Sequence, residues 1–164
     1  MKTHDSAARR LRRVAGVLVS LLLAPPALAE WNKIGNMNNE KDEPIAQVYF
    51  DPATVQRDKS SVLAVVLYSW NDLQQVGTDS GVRYRSAIQL QVFDCDKRVF
   101  AIHRFALHKE PMGSGDVVWK DVNPEDQLQF NDVAPGSIGE VVLETVCSSA
   151  PDDGDTDEDS GTKI

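Results

Sequence analysis

The chain has two cysteines, Cys95 and Cys147, and the first 29 residues decide what chemistry they do. Lys2, Arg9, Arg10, Arg12 and Arg13 precede an apolar run from Val14 to Leu23, followed by Pro25-Pro26 and Ala27-Leu28-Ala29. A basic region, a short apolar core and an A-x-A site, in that order, read as a secretory signal peptide cut after Ala29. The apolar core is half the length of the roughly 20 residues that a spanning helix needs. No cysteine stands at the cleavage point to carry a lipid. In an oxidising compartment two cysteines pair, so a Cys95–Cys147 disulfide is expected rather than free thiol chemistry. It encloses 51 residues, and the chain-entropy argument makes such a crosslink worth about 4 kcal/mol. That is comparable with the whole net stability of a small domain.

Other chemistry-bearing residues lack the company their chemistry requires. His103 and His108 lie five apart on an expected strand and so point to opposite faces, with no third ligand to complete a metal site. Met112-Gly113-Ser114-Gly115-Asp116-Val117-Val118 spaces two glycines like a phosphate loop. It lacks the third glycine, the Lys-Ser/Thr pair and a following helix, and reads as a hairpin turn. Asp153-Gly154-Asp155-Thr156-Asp157 opens like a calcium loop, but Glu158 occupies the sixth place, where glycine is needed. Ser60, Ser61, Ser69 and Ser86 have no neighbouring histidine and acid in a nucleophile motif. Arg83 and Arg85 share a strand face as a short basic stripe, consistent with a wet sheet face. The residues therefore offer no catalytic constellation, no metal ligand set and no cofactor motif.

Beyond residue 29 the chain carries 12 basic and 24 acidic side chains, a net charge near −12. Such a balance argues against nucleic acid or anionic membrane as a partner, and no later segment is apolar enough to span a bilayer. Six of the acids fall between Asp152 and Asp159. With almost nothing apolar to bury, residues 150–164 are expected to form a disordered acidic tail. The domain plan is then a signal peptide over 1–29, one folded domain over 30–149, and the tail.

Within the domain, short alternating runs separated by turn residues predict strands over 31–34, 46–50, 61–70, 82–93, 98–108 and 117–119. The run 61–70 is apolar on both faces and reads as a central strand. In 82–93, Val82, Tyr84, Ile88, Leu90 and Val92 form the expected buried face, with Arg83, Arg85, Gln89 and Gln91 on the wet one. Asp51-Pro52-Ala53-Thr54-Val55 has the cap and proline of a single helical turn. Ser137-Ile138-Gly139-Glu140 fits a capping box. Ile138, Val141, Val142, Thr145 and Val146 then recur at helical spacing, which predicts a helix over 138–147. Three turns of helix are marginal alone, so the apolar stripe and Cys147 together must dock it on the sheet.

Six short segments in this order resemble the surface-adhesin protein E family, small exported bacterial proteins named for a Haemophilus surface adhesin. They are Trp31 to Gly35, Val48 to Pro52, Tyr84 to Ser86, Phe93 to Cys95, Met112 to Val118, and Pro135 to Glu140 running on to Cys147. The resemblance covers about residues 31–147. It implies a curved antiparallel sheet with a C-terminal helix held on its concave side by a disulfide. It also implies binding of host matrix and plasma proteins without catalysis, and dimerisation. The combined expectation is an α+β domain: one antiparallel sheet of five or six strands with one helix docked by Cys95–Cys147 and capped by Ser137 and Glu140. Functionally it is an exported, adhesin-like binding protein of the bacterial envelope, in the periplasm or at the cell surface. Its partner would be a host or matrix protein, and a homodimer is one of its expected forms. The alternative is a periplasmic accessory or small-ligand module with an apolar pocket between sheet and helix.

Overall fold

Short polar turns between alternating runs leave the chain one economical arrangement, an antiparallel meander in which each strand pairs with the next. The computed structural model describes residues 30–151. The expected signal peptide over 1–29 and the expected acidic tail from Asp152 onward lie outside the described residues. The long strands are β1 (Asn32–Asn38), β2 (Pro44–Asp58), β3 (Ser61–Gln75), β4 (Arg83–Asp94), β5 (Val99–His108) and β6 (Val117–Val122). They lie in that order in a single antiparallel sheet, and a two-residue β7 (Asn131–Asp132) pairs with the start of β5. Each of the five pairings from β1–β2 to β5–β6 carries a register shift. Shifts of this kind bend strands and increase their twist, and the sheet curls. One α-helix, α1 (Ile138–Ser149), follows. The fold is the α+β arrangement expected from the sequence.

Helix α1 begins where the capping residues place it. Ser137 is the N-cap, and its Oγ accepts from the Glu140 N–H at 3.3 Å. The Glu140 carboxylate reaches back to the Gly136 N–H at 2.7 Å rather than to the cap residue's own N–H. The Ser137 N–H is already donated to the Ala134 carbonyl at 3.2 Å, so the box closes one residue early. Arg98 pairs with the same Glu140 carboxylate and reaches Glu144 at 3.3 Å. The helix buries Val142, Leu143 and Val146, while Val141 points to solvent. These side chains fill the space over Val48, Phe50, Val62, Ala64, Val66 and Phe93, which is the hydrophobic core.

Cys95 sits in the β4–β5 turn and is disulfide-bonded to Cys147 near the helix end, with 6.0 Å between the Cα atoms. Asp94 organises that turn. Its carboxylate accepts the Lys97 N–H at 2.9 Å and the Lys97 ammonium at 2.8 Å.

Three local expectations differ from the structure. Residues 51–55 form no helical turn, because β2 runs on through Pro44–Asp58 and the segment is the extra length of a bulge between Asp51↔Val65 and Gln56↔Leu63. Asp51 accepts the Ala53 N–H at 3.0 Å. Thr54 Oγ1 donates to the Asp51 carbonyl at 2.6 Å and accepts the Val65 N–H at 2.9 Å. Pro52, which has no N–H, therefore sits where no ladder bond is required. Strand β3 extends to Gln75, shortening the connection to β4 to a turn closed by Val76 N–H to Val82 carbonyl at 3.0 Å. In β4 the more deeply buried face is the reverse of the one expected. Ala87, Gln91 and Phe93 are buried on the helix side, while Ile88, Leu90 and Val92 are only half-buried on the other. Gln91 tolerates burial because its amide donates to Gln89 Oε1 at 2.6 Å and to the Tyr68 hydroxyl at 3.2 Å.

Two outcomes follow. Cys95→Ser/Cys147→Ser should lose roughly 4 kcal/mol of unfolding free energy, read from urea unfolding extrapolated to water, with a steeper slope because the uncrosslinked chain exposes more surface. Hydrogen bonds from Lys97 hold the Asp94 carboxyl below its usual 3.8, and Asp94 holds the Lys97 ammonium above its usual 10.5. The first contribution is present above 3.8 and lost as pH falls through the depressed value. The second is present below 10.5 and lost as pH rises through the raised one. Asp94→Asn should remove the turn's share of both the acid and the alkaline decline, measured as the pH dependence of Tm.

Candidate functional site

Antiparallel register fixes which residues share the face turned away from the helix. One row runs Val65, Leu90, Arg104, Val122 across β3 to β6, and the next runs Leu67, Ile88, Ala106, Lys120. These rows form an open groove of about 530 Å³, floored by Val65, Ile88 and Leu90 and bordered by Arg104, Lys120 and Val122. Arg104, Lys120 and Val122 are exposed. The helix side is filled by the core already described, so this apolar space lies opposite the sheet–helix interface where the alternative reading of the sequence put a pocket.

A short loop closes one end of this face. The turn Pro111–Gly113 folds back over β3 and β4, where the Ser69 hydroxyl accepts the Met112 N–H at 3.2 Å and the Ser86 hydroxyl accepts the Gly113 N–H at 2.9 Å. Ser86 in turn donates to the Glu110 carbonyl at 2.5 Å. Gly113 has φ +68, and a Cβ there would stand 2.6 Å from Ile88 Cδ1, so close packing and backbone both call for glycine. The loop covers Leu67, which is fully buried, and leaves Leu90 open. The segment Met112 to Val118 is thus more than a reversal between strands: it is a tethered cover.

The sheet ends at β6, which pairs only with β5 among the described residues. Val117, Trp119 and Val122 on this strand are 50 %, 40 % and 60 % exposed. An unpaired edge carrying large apolar side chains is a template for another chain.

The residues singled out from sequence fall elsewhere. Cys95, Cys147, Ser137 and Glu140 come together around the helix, where their disulfide, cap bond and ion pair hold it in place. His103 and His108 are half-buried, and neither Nδ1 has a hydrogen-bond partner. Among the described residues no group of three or more His, Cys, Asp or Glu is placed to hold a metal. The Arg83–Arg85 stripe is divided, because the Arg85 guanidinium donates to the Asn71 carbonyl while Arg83 is exposed. Burial pushes the Tyr68 phenol above its ordinary 10.0, against the hydrogen bond with Gln91. Tyr84 is shifted the same way by partial burial. Arg104, Lys120 and the groove floor were not anticipated. The Ile88–Leu90 alternation was visible, but it had been assigned to the interior.

The family model described as surface-adhesin protein E matches residues 31–148. A solved structure of Haemophilus influenzae protein E is 18% identical, with 77% of this chain and 91% of that chain covered at a TM-score of 0.49. A crystal structure of protein E from non-typeable Haemophilus influenzae is 16% identical, with 77% and 82% covered at a TM-score of 0.48. No curated protein matches the chain. Since the family match spans nearly all the residues that make the sheet, the loop and the helix, this chain belongs to the surface-adhesin protein E family.

Proposed function

We propose that the protein is an exported, non-enzymatic binding protein of the bacterial envelope that engages a protein partner, of the host matrix type, through strand β6. The observation that carries this reading is the free outer edge of β6 together with the exposed Val117 and Trp119. An extended segment of a partner adds to such an edge by main-chain hydrogen bonds, and the apolar side chains select it. Aromatic residues on exposed surfaces are the usual energetic anchors of such contacts. Membership in a surface-adhesin family supports export and binding. The reading from basic region to Ala27-Leu28-Ala29 supports export independently.

The test has two parts. Intact cells of the native host expressing the chain with its own leader are treated with protease, with lysed cells as control. Surface exposure predicts digestion on intact cells, and protection until lysis would reject a host partner. Purified protein is then passed over immobilised matrix proteins. Val117→Lys/Trp119→Lys should weaken retention by about tenfold or more, whereas unchanged retention would reject β6 as the contact. A loss of self-association in the same variant, with matrix retention unaffected, would assign the edge to a second copy of the chain instead.

A further inference from the structure

We propose that the groove on the face opposite the helix binds a single-chain fatty acid carboxylate. Its floor is apolar and lies on fully paired strands, Val65 on β3 and Ile88 and Leu90 on β4. A peptide laid there finds no free ladder groups to bond, whereas an acyl chain needs none. The space, about 530 Å³, falls within the 300–1,000 Å³ range, approximately, of small-ligand sites.

The cations at the rim give the head group. Arg104 pairs in the ladder with Leu90 and Val122, and Lys120 pairs with Ala106, so both belong to the groove face as diagonal neighbours on adjacent strands. Neither forms an ion pair or a side-chain hydrogen bond among the described residues; the ion pairs there use Lys97 and Arg98. This is notable because residues 30–151 hold 11 basic and 18 acidic side chains. Asp121 also borders the groove; its carboxylate accepts the Val122 N–H at 2.8 Å and keeps its charge, so the two cations leave the rim one net positive charge to offer a ligand. Two adjacent unpaired cations beside an apolar trough complement one carboxylate with one acyl chain, through charge-assisted hydrogen bonds at the head and burial of the tail. The Gly113 loop packed on Ile88 marks the end toward which the tail would point. The acid-rich surface disfavours the alternative source of such a ligand, an anionic bilayer. This site lies on the groove face rather than along the outer edge of β6; it takes Lys120 and Val122 from that strand but neither Val117 nor Trp119, and its test does not require the edge to bind a protein.

The test is calorimetric titration of the full chain from Glu30 with hexadecanoate below its aggregation concentration. Hexadecanol and Arg104→Glu/Lys120→Glu serve as comparisons, and near-UV circular dichroism checks that the variant is folded. The expected result is one-to-one binding of the carboxylate, weaker by about tenfold or more for the alcohol and for the charge-reversed protein. Absence of binding, equal affinity for alcohol and carboxylate, or an unaltered variant would overturn the proposal. Retention of the chain on phosphatidylglycerol vesicles would also overturn it, in favour of a membrane surface.

Discussion

The covalent joining of Cys95 to Cys147 is the constraint on which the helix-covered face, and with it the division of the sheet into a closed and an open face, depends. Helix α1 has 12 residues and a glycine in its first turn, and a helix so short has little stability of its own. Its apolar stripe gains from burial only when it lies on the sheet. The disulfide, the Ser137 cap and the pairing of Arg98 with Glu140 and Glu144 confine it there. The Asp94–Lys97 turn matters for the same reason, since it presents Cys95 at the right end of the sheet.

With one helix to spare, only one face of the sheet receives a full cover. The other is covered in part by the Pro111–Gly113 loop, held by the hydroxyls of Ser69 and Ser86. What neither covers becomes the groove over Val65 and Leu90, and β6, which pairs with no later element among the described residues, becomes the exposed edge. The surfaces proposed to bind are therefore remainders of the packing solution. The domain is too small to wrap both faces of a six-stranded curl, and the uncovered apolar surface is where a partner or ligand gains the most by binding.

Much of this fold was legible in the sequence. The cysteines, the Ser137 cap, the apolar stripe of α1 and the two-sided apolarity of 61–70 each have a single physical reading, and they agree with one another. Alternation in β4 was legible too, but alternation says which residues share a face and not which face is covered. Ile88 and Leu90 carry the more apolar pattern, yet it is Phe93, on the opposite face, that packs in the core with Val142, Leu143 and Val146. Asp51-Pro52 carries the same local signals whether it caps a turn of helix or starts a bulge, and pairing of Gln56 with Leu63 decides between them. Arg104 and Lys120 are 16 positions apart in the chain, and only the β5–β6 register makes them neighbours. Nothing local to either residue marks them as a pair.

The central claim is that the disulfide maintains one face of the sheet while the other stands on its own ladders. The direct test is a comparison of backbone 1H–15N spectra of the full chain before and after reduction under native conditions. The account predicts that resonances of 138–149 and of the strand residues beneath, such as Val48 and Val66, move or broaden on reduction. Those of Arg104 to Val122 should hold their positions. Unmoved helix resonances after complete reduction would contradict it, as would equal perturbation on both faces.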